Sequence, residues 1–275
     1  MHVNQWLKNN ENSKFREFLI DGVVFLLLIC TGKIVRLNFK EPIMFNKLKL
    51  ILTFSALVVV SACGGGDDSS GPTVSTAIFN LQAINRNAFT TASSNNFTVS
   101  GLASGFPVSG SGRVTSSAVV ASTFEGRPAF QRIITITGTA AANGIAIPLA
   151  SSGIQWSDSN YLPVGEQAGG EYVVVTGVPT IPTAARVNDT GSLYMANRYT
   201  NSTKSTLLGT VAATYVLEAD TENTALLTVI LEFKSKVGAI TQTASAQSRV
   251  STSNAYTRIK ESGTTPNSIL TFTYY

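Results

Sequence analysis

Residues 210–234 read TVAATYVLEADTENTALLTVILEFK, and this stretch decides the fold. Val, Thr, Tyr, Ile and Phe recur through both halves, as suits pleated, half-buried strands. Asp220-Thr221-Glu222-Asn223 between them is made of turn-forming residues. The two halves therefore read as an antiparallel hairpin. Pairing Asp220 with Asn223 sets Leu217 opposite Leu226, Tyr215 opposite Thr228 and Ala213 opposite Ile230 on one face. The other face then carries Val216 opposite Leu227, Thr214 opposite Val229 and Ala212 opposite Leu231. In that register both faces are substantially apolar, whereas a sheet with one solvated face alternates apolar and polar residues. The expectation is a central hairpin covered on both sides, by other protein or by a lipid or similar apolar ligand held in a curved sheet.

Outward from the hairpin, the same strand-and-turn texture continues. Thr76–Ile84, Asn96–Gly101, Phe106–Ala121, Phe130–Thr139, Glu171–Gly177, Gly191–Thr200 and Ser268–Tyr274 are rich in strand formers and bounded by Gly, Pro, Asn, Asp and Ser. Val237–Val250 carries Thr241, Gln242, Thr243, Ser245, Gln247, Ser248 and Arg249, which marks an edge or solvent-facing strand. Pro148–Gly170 reads as mostly irregular, and Gly177–Asp189, with Pro179 and Pro182, as a loop. No stretch holds a helical period of useful length. The fold class is all-β: an antiparallel meander forming a β-sandwich or a curved, barrel-like sheet, one domain over residues 76–275.

The whole chain has 20 Lys+Arg against 16 Asp+Glu, but that excess is confined to its first part. Eight of the basic and four of the acidic residues precede Cys63, and the remainder is balanced. Its charges are scattered singly, without the basic runs and interleaved aromatics that phosphate backbones require, so nucleic acid is not a partner. Cys63 is the only cysteine in residues 63–275, and the sole histidine is His2. That part of the chain can form no internal disulfide, no His/Cys metal site and no Ser/His/Asp triad.

The first 62 residues set the compartment. Lys47 and Lys49 precede an apolar run, Leu50–Val60, which closes on Val60-Ser61-Ala62-Cys63 and opens onto Gly64–Pro72, rich in Gly, Asp and Ser. These features resemble the signal peptide and lipobox of bacterial lipoproteins. The resemblance implies a signal peptide at residues 44–62, lipid attachment at Cys63 and a flexible tether at residues 63–75. It also implies an outer-membrane address, because Gly64 and not aspartate follows the cysteine. The basic start at Met44 fits the beginning of a signal peptide, so residues 1–43 read as an upstream extension outside the true start. Leu50–Val60 is too short to span a membrane, where about 20 residues are needed.

Catalytic motifs are sparse. Asp158, Glu166 and Glu171 with Trp156 and Tyr161 suggest two carboxylates and sugar-stacking rings, the parts of a glycoside hydrolase; the alternatives are a sugar- or peptide-binding surface on the same aromatics, or solvated loop charges. Asp220, Glu222 and Asn223 offer oxygen ligands without the spacing of a calcium loop. Ser109-Gly110-Ser111-Gly112 lacks the first glycine of a nucleophile elbow, and Ser202-Thr203-Lys204 is one residue short of S-x-x-K. Gly101, Gly105, Gly110 and Gly112 read as strand breaks or bulges. The terminal run Thr271–Tyr275 fits the last strand of a soluble domain better than a lipid-facing barrel strand, because Tyr275, Thr273 and Thr271 form a poor lipid stripe.

The reading that follows is an outer-membrane lipoprotein, anchored through Cys63, whose non-enzymatic all-β domain binds an envelope protein, carbohydrate or lipid, with no catalytic residue, metal or cofactor assigned. A carboxylate-dependent hydrolase of envelope carbohydrate and a lipid carrier remain the alternatives. The carrier requires an apolar cavity against the 210–233 hairpin.

Overall fold

The computed structural model describes residues 75–275. Residues 1–43, the expected signal peptide at 44–62, Cys63 and nearly all of the expected tether at 63–75 lie outside the described residues. Among the described residues one helix, α1 (Leu81–Thr90), precedes thirteen strands. They are β1 (Ser93–Ala103), β2 (Phe106–Ser116), β3 (Val120–Phe124), β4 (Arg127–Ala142), β5 (Ile145–Ser157), β6 (Pro163–Ala168), β7 (Glu171–Thr176), β8 (Thr190–Tyr199), β9 (Leu207–Ala219), β10 (Thr224–Ser235), β11 (Ile240–Ser251), β12 (Tyr256–Thr265) and β13 (Ser268–Tyr274).

Neighbouring strands pair antiparallel in chain order from β4 to β13; β13 pairs with β1, β1 with β2, and β2 returns to β4. The result is a closed barrel of 12 strands, with β3 outside the ring on the edge of β4. The sandwich alternative is thereby corrected. A sandwich leaves edges, whereas the nine residue pairs from Val108↔Ala142 to Ser116↔Ile134 close this sheet on itself.

Four hairpins turn on two residues that both have positive φ: Ser104-Gly105, Glu125-Gly126, Asn143-Gly144 and Gly169-Gly170. That is the turn whose twist matches the strands it joins. Close wall contact near the closure depends on missing side chains. A Cβ on Gly138 would meet the Ser111 carbonyl oxygen at 2.4 Å, and one on Gly112 the Phe97 ring at 2.6 Å.

The wall sorts its faces by alternation. Phe97, Val99, Val114, Ile134, Ile136, Leu149, Leu270, Phe272 and Tyr274 are buried on one side of the interior. Opposite positions point outward in rows such as Thr273–Thr98–Ser111–Thr139. The 210–234 hairpin is central and paired on both sides, but its register differs from expectation by one residue. Leu217 faces Leu227, Tyr215 faces Val229, Ala213 faces Leu231 and Val211 faces Phe233. A single-residue shift exchanges the faces of a strand. The true register gathers these apolar residues inside, while the outward face mixes Glu218, Thr228, Glu232 and Lys234 with Val216, Leu226 and Ile230.

Three further expectations are corrected. Thr76–Ile84 is not a strand: Phe79 makes one bridge to Ala185, then Asn80 caps α1, its Oδ1 accepting from the Ala83 amide at 2.9 Å. Pro148–Gly170 is mostly ordered in β5 and β6. Pro148 fits because β6 pairs only with Gly153–Ser157, leaving the Pro148 stretch of β5 bonded on one side. Residues 237–250 are no edge, since β11 lies between β10 and β12. The solvent-facing part of that expectation holds for its outward residues Thr243, Ser245, Gln247 and Arg249.

Helix α1 lies across one end of the barrel. Its amide at Gln82 donates to the Pro182 carbonyl, Asn85 Nδ2 to the Tyr161 carbonyl and Asn87 Nδ2 to the Asn254 carbonyl, tying it to three connections at that end. Leu81, Ile84 and Phe89 are buried beneath it.

Candidate functional site

The inward side chains and α1 do not fill the barrel. Two adjoining lobes, of about 220 Å³ and about 190 Å³, share Phe89, Arg132, Gln155, Tyr194, Val229 and Leu231 in their walls. The first lobe reaches Glu166, Val173, Val211 and Phe233; the second reaches Tyr215, Leu227, Tyr256 and Arg258. The 210–234 hairpin contributes Val211, Tyr215, Leu227, Val229, Leu231 and Phe233 to the lining, and Leu227 and Val229 keep partial exposure where they border the space. For scale, an apolar cavity of about 150 Å³ accommodates benzene.

A polar row crosses the wall. Arg132, Gln155 and Glu166 sit on three adjacent strands as directly paired residues. Arg132 donates through Nε and a terminal nitrogen to Gln155 Oε1, at 3.0 and 2.8 Å, and through its other terminal nitrogen to the carbonyls of Ala88 and Phe89 at 2.6 and 3.4 Å. Those carbonyls belong to the last turn of α1, where a cation is favoured. The Arg132 guanidinium also lies 4.7 Å over the Phe89 ring. Gln155 Nε2 then donates to Glu166 Oε2 at 3.3 Å. Burial holds the Glu166 carboxyl well above the ordinary carboxylate range, against weaker lowering by the Gln155 hydrogen bond and Arg132. The side chain keeps some surface because it faces the lobe, although protein surrounds it.

The other proposed catalytic residues have separate roles. Glu171 and Arg198 form a buried two-point pair, both contacts at 2.9 Å, with the guanidinium 4.9 Å over the Phe233 ring. Asp158 closes the β5–β6 turn, its Oδ1 accepting from the Asn160 and Leu162 amides at 2.8 and 2.9 Å. Glu166 and Glu171 thus share the interior face, while Asp158 does not join them. Tyr161 stacks on Phe130 at 5.1 Å. Trp156 lies on the opposite side of its strand from Gln155, packed at 5.0 Å against Phe124 from the tip of the β3–β4 hairpin. Phe124 stacks in turn on Tyr172 at 5.5 Å, and Tyr172 Oη donates to Glu125 at 2.8 Å. Burial, and then the Glu125 carboxylate, push the Tyr172 phenol up. Phe124, Trp156 and Tyr172 bind the β3–β4 hairpin to the wall, and Trp156 and Tyr161 also border the first lobe beside Glu166.

On the 220–223 turn, Asp220 is held by Arg249 at 2.7 and 3.1 Å and by Thr224, which keep its carboxyl below the usual range. No group of three or more His, Cys, Asp or Glu suited to a metal occurs among the described residues.

The sequence reading missed Arg132, Gln155, Arg258 and Glu261. The signal was present in part: Arg132 breaks the apolar inward alternation Phe130–Ile134–Ile136 of β4. The chain matches no protein-family model, no curated protein and no solved structure.

Proposed function

We propose that this protein is a bacterial outer-membrane lipoprotein, anchored through Cys63, whose barrel binds a small molecule with an apolar body in the chamber beneath α1. The observation that carries the binding role is the chamber itself: apolar walls from the 210–234 hairpin, with the Arg132–Gln155–Glu166 row at one side. A mostly apolar cavity with a few convergent polar groups is the usual form of a small-molecule site. It also meets the requirement set for the lipid-carrier alternative, with volume for a ring or short chain. The anchor rests on the Val60–Cys63 resemblance.

Val229 borders both lobes, so Val229→Trp occupies the space a ligand needs. Benzyl alcohol, a probe of suitable size, is expected to raise the thermal midpoint of the wild type in proportion to its occupancy. The Val229→Trp variant is expected to show no such rise. Equal stabilisation of both proteins, or of neither, contradicts binding in the chamber.

A further inference from the structure

The polar groups around the chamber are unequally engaged. Three carboxyls line its wall or adjoin it: Glu171, Glu261 and Glu166. Glu171 is paired with Arg198 at two points, and Glu261 accepts from Arg258 at 3.2 Å. Glu166 has a long hydrogen bond from Gln155 and, among the described residues, no ion pair. A carboxylate has about four acceptor sites, so Glu166 retains acceptor capacity where it meets the lobe. The cations are differently placed: Arg132 is engaged by Gln155 and the end of α1, Arg198 by Glu171 and Arg258 by Glu261. An anionic ligand would have to displace these bonds, whereas a ligand bringing donors meets a carboxyl already facing it.

We propose that Glu166 is the polar anchor of the chamber and that its ligand is a small organic amine, bound as the ammonium, with its ring or chain against Phe89, Val229 and Leu231. The inference rests on the chamber being a binding site and adds the class of molecule. A buried carboxyl without a counter-ion is costly to ionise, and burial already holds Glu166 toward its neutral form. A neutral amine entering the lobe takes the proton from Glu166, forming an ammonium–carboxylate pair with no change in total charge. If the ammonium enters instead, the Glu166 proton leaves to solvent. Arg132 lies on the far side of Gln155, and its charge is offset by the carbonyls at the end of α1.

Titration calorimetry of the full chain with benzylamine, benzyl alcohol and benzoate tests this, because the three share a ring and differ in the polar group. Benzylamine is expected to bind the wild type about tenfold or more tightly than benzyl alcohol, as a charge-assisted hydrogen bond allows, with benzoate weakest. Glu166→Gln is expected to remove the benzylamine advantage over benzyl alcohol, and a far-ultraviolet circular dichroism spectrum matching the wild type shows that the variant is folded. Benzyl alcohol binding as tightly as benzylamine, benzoate binding best, or an advantage surviving Glu166→Gln overturns the amine assignment alone. If none of the probes binds the wild type, the chamber reading falls with it.

Discussion

Arg198→Ala is expected to destabilise the barrel by about 3–5 kcal/mol, the usual cost of removing one partner from a buried ion pair. Arg198 and Glu171 are 2 % and 3 % exposed, so the variant strands a carboxylate that water does not reach. It also removes the cation over Phe233, a side chain packed into the same wall. The cost belongs to the orphaned charge and not to the contact as such. Arg198→Met combined with Glu171→Leu is therefore expected to recover most of the loss, as apolar replacements of buried pairs commonly do. Urea unfolding of Arg198→Met, Glu171→Leu and the double variant gives the coupling directly. Additive losses in the double variant would contradict the pairing.

Replacing Cys63 with serine is expected to have the largest effect in the cell: loss of labelled palmitate and release from the membrane fraction. The reason is additive burial, about 0.8 kcal/mol for each methylene in the bilayer, with one chain only marginally retained and two or more holding stably. Among the described residues no helix is long and apolar enough to cross a membrane. Palmitate incorporation into both wild type and Cys63→Ser would contradict lipidation at that residue.

Most of the β-strands were legible because branched and aromatic residues fall between turn formers, as in Gly191–Thr200 and Ser268–Tyr274. What escaped was governed by position. Asp220–Asn223 marks a turn but does not specify its length, and one residue of register separated an apparently two-faced apolar hairpin from one with a clear inside. Asn143-Gly144 is the strongest local hairpin signal in the chain. Reading it would have opened β5, which Pro148 concealed. Helix α1 was hidden by the strand-like Ala77-Ile78-Phe79 before it, although Asn80 as a cap with Leu81 and Ile84 three residues apart was available. Closure of the sheet depends on β2 pairing with β4 across a connection, a non-local contact that composition cannot reveal. The site follows the same division. Glu166 was noticed as a carboxyl in a presumed loop, but its role comes from β6 turning it inward beside Gln155 and Arg132. Trp156 and Tyr161 border the same lobe as Glu166, but each is packed on another ring, Trp156 on Phe124 and Tyr161 on Phe130.

The most direct test of the chamber as a ligand site is native mass spectrometry of the full protein extracted in mild detergent from its own envelope, alongside Val229→Trp prepared identically. The wild type is predicted to carry a small molecule that is released on denaturation and absent from the variant. Identical masses for the two preparations, after allowing for the substitution, would contradict the account.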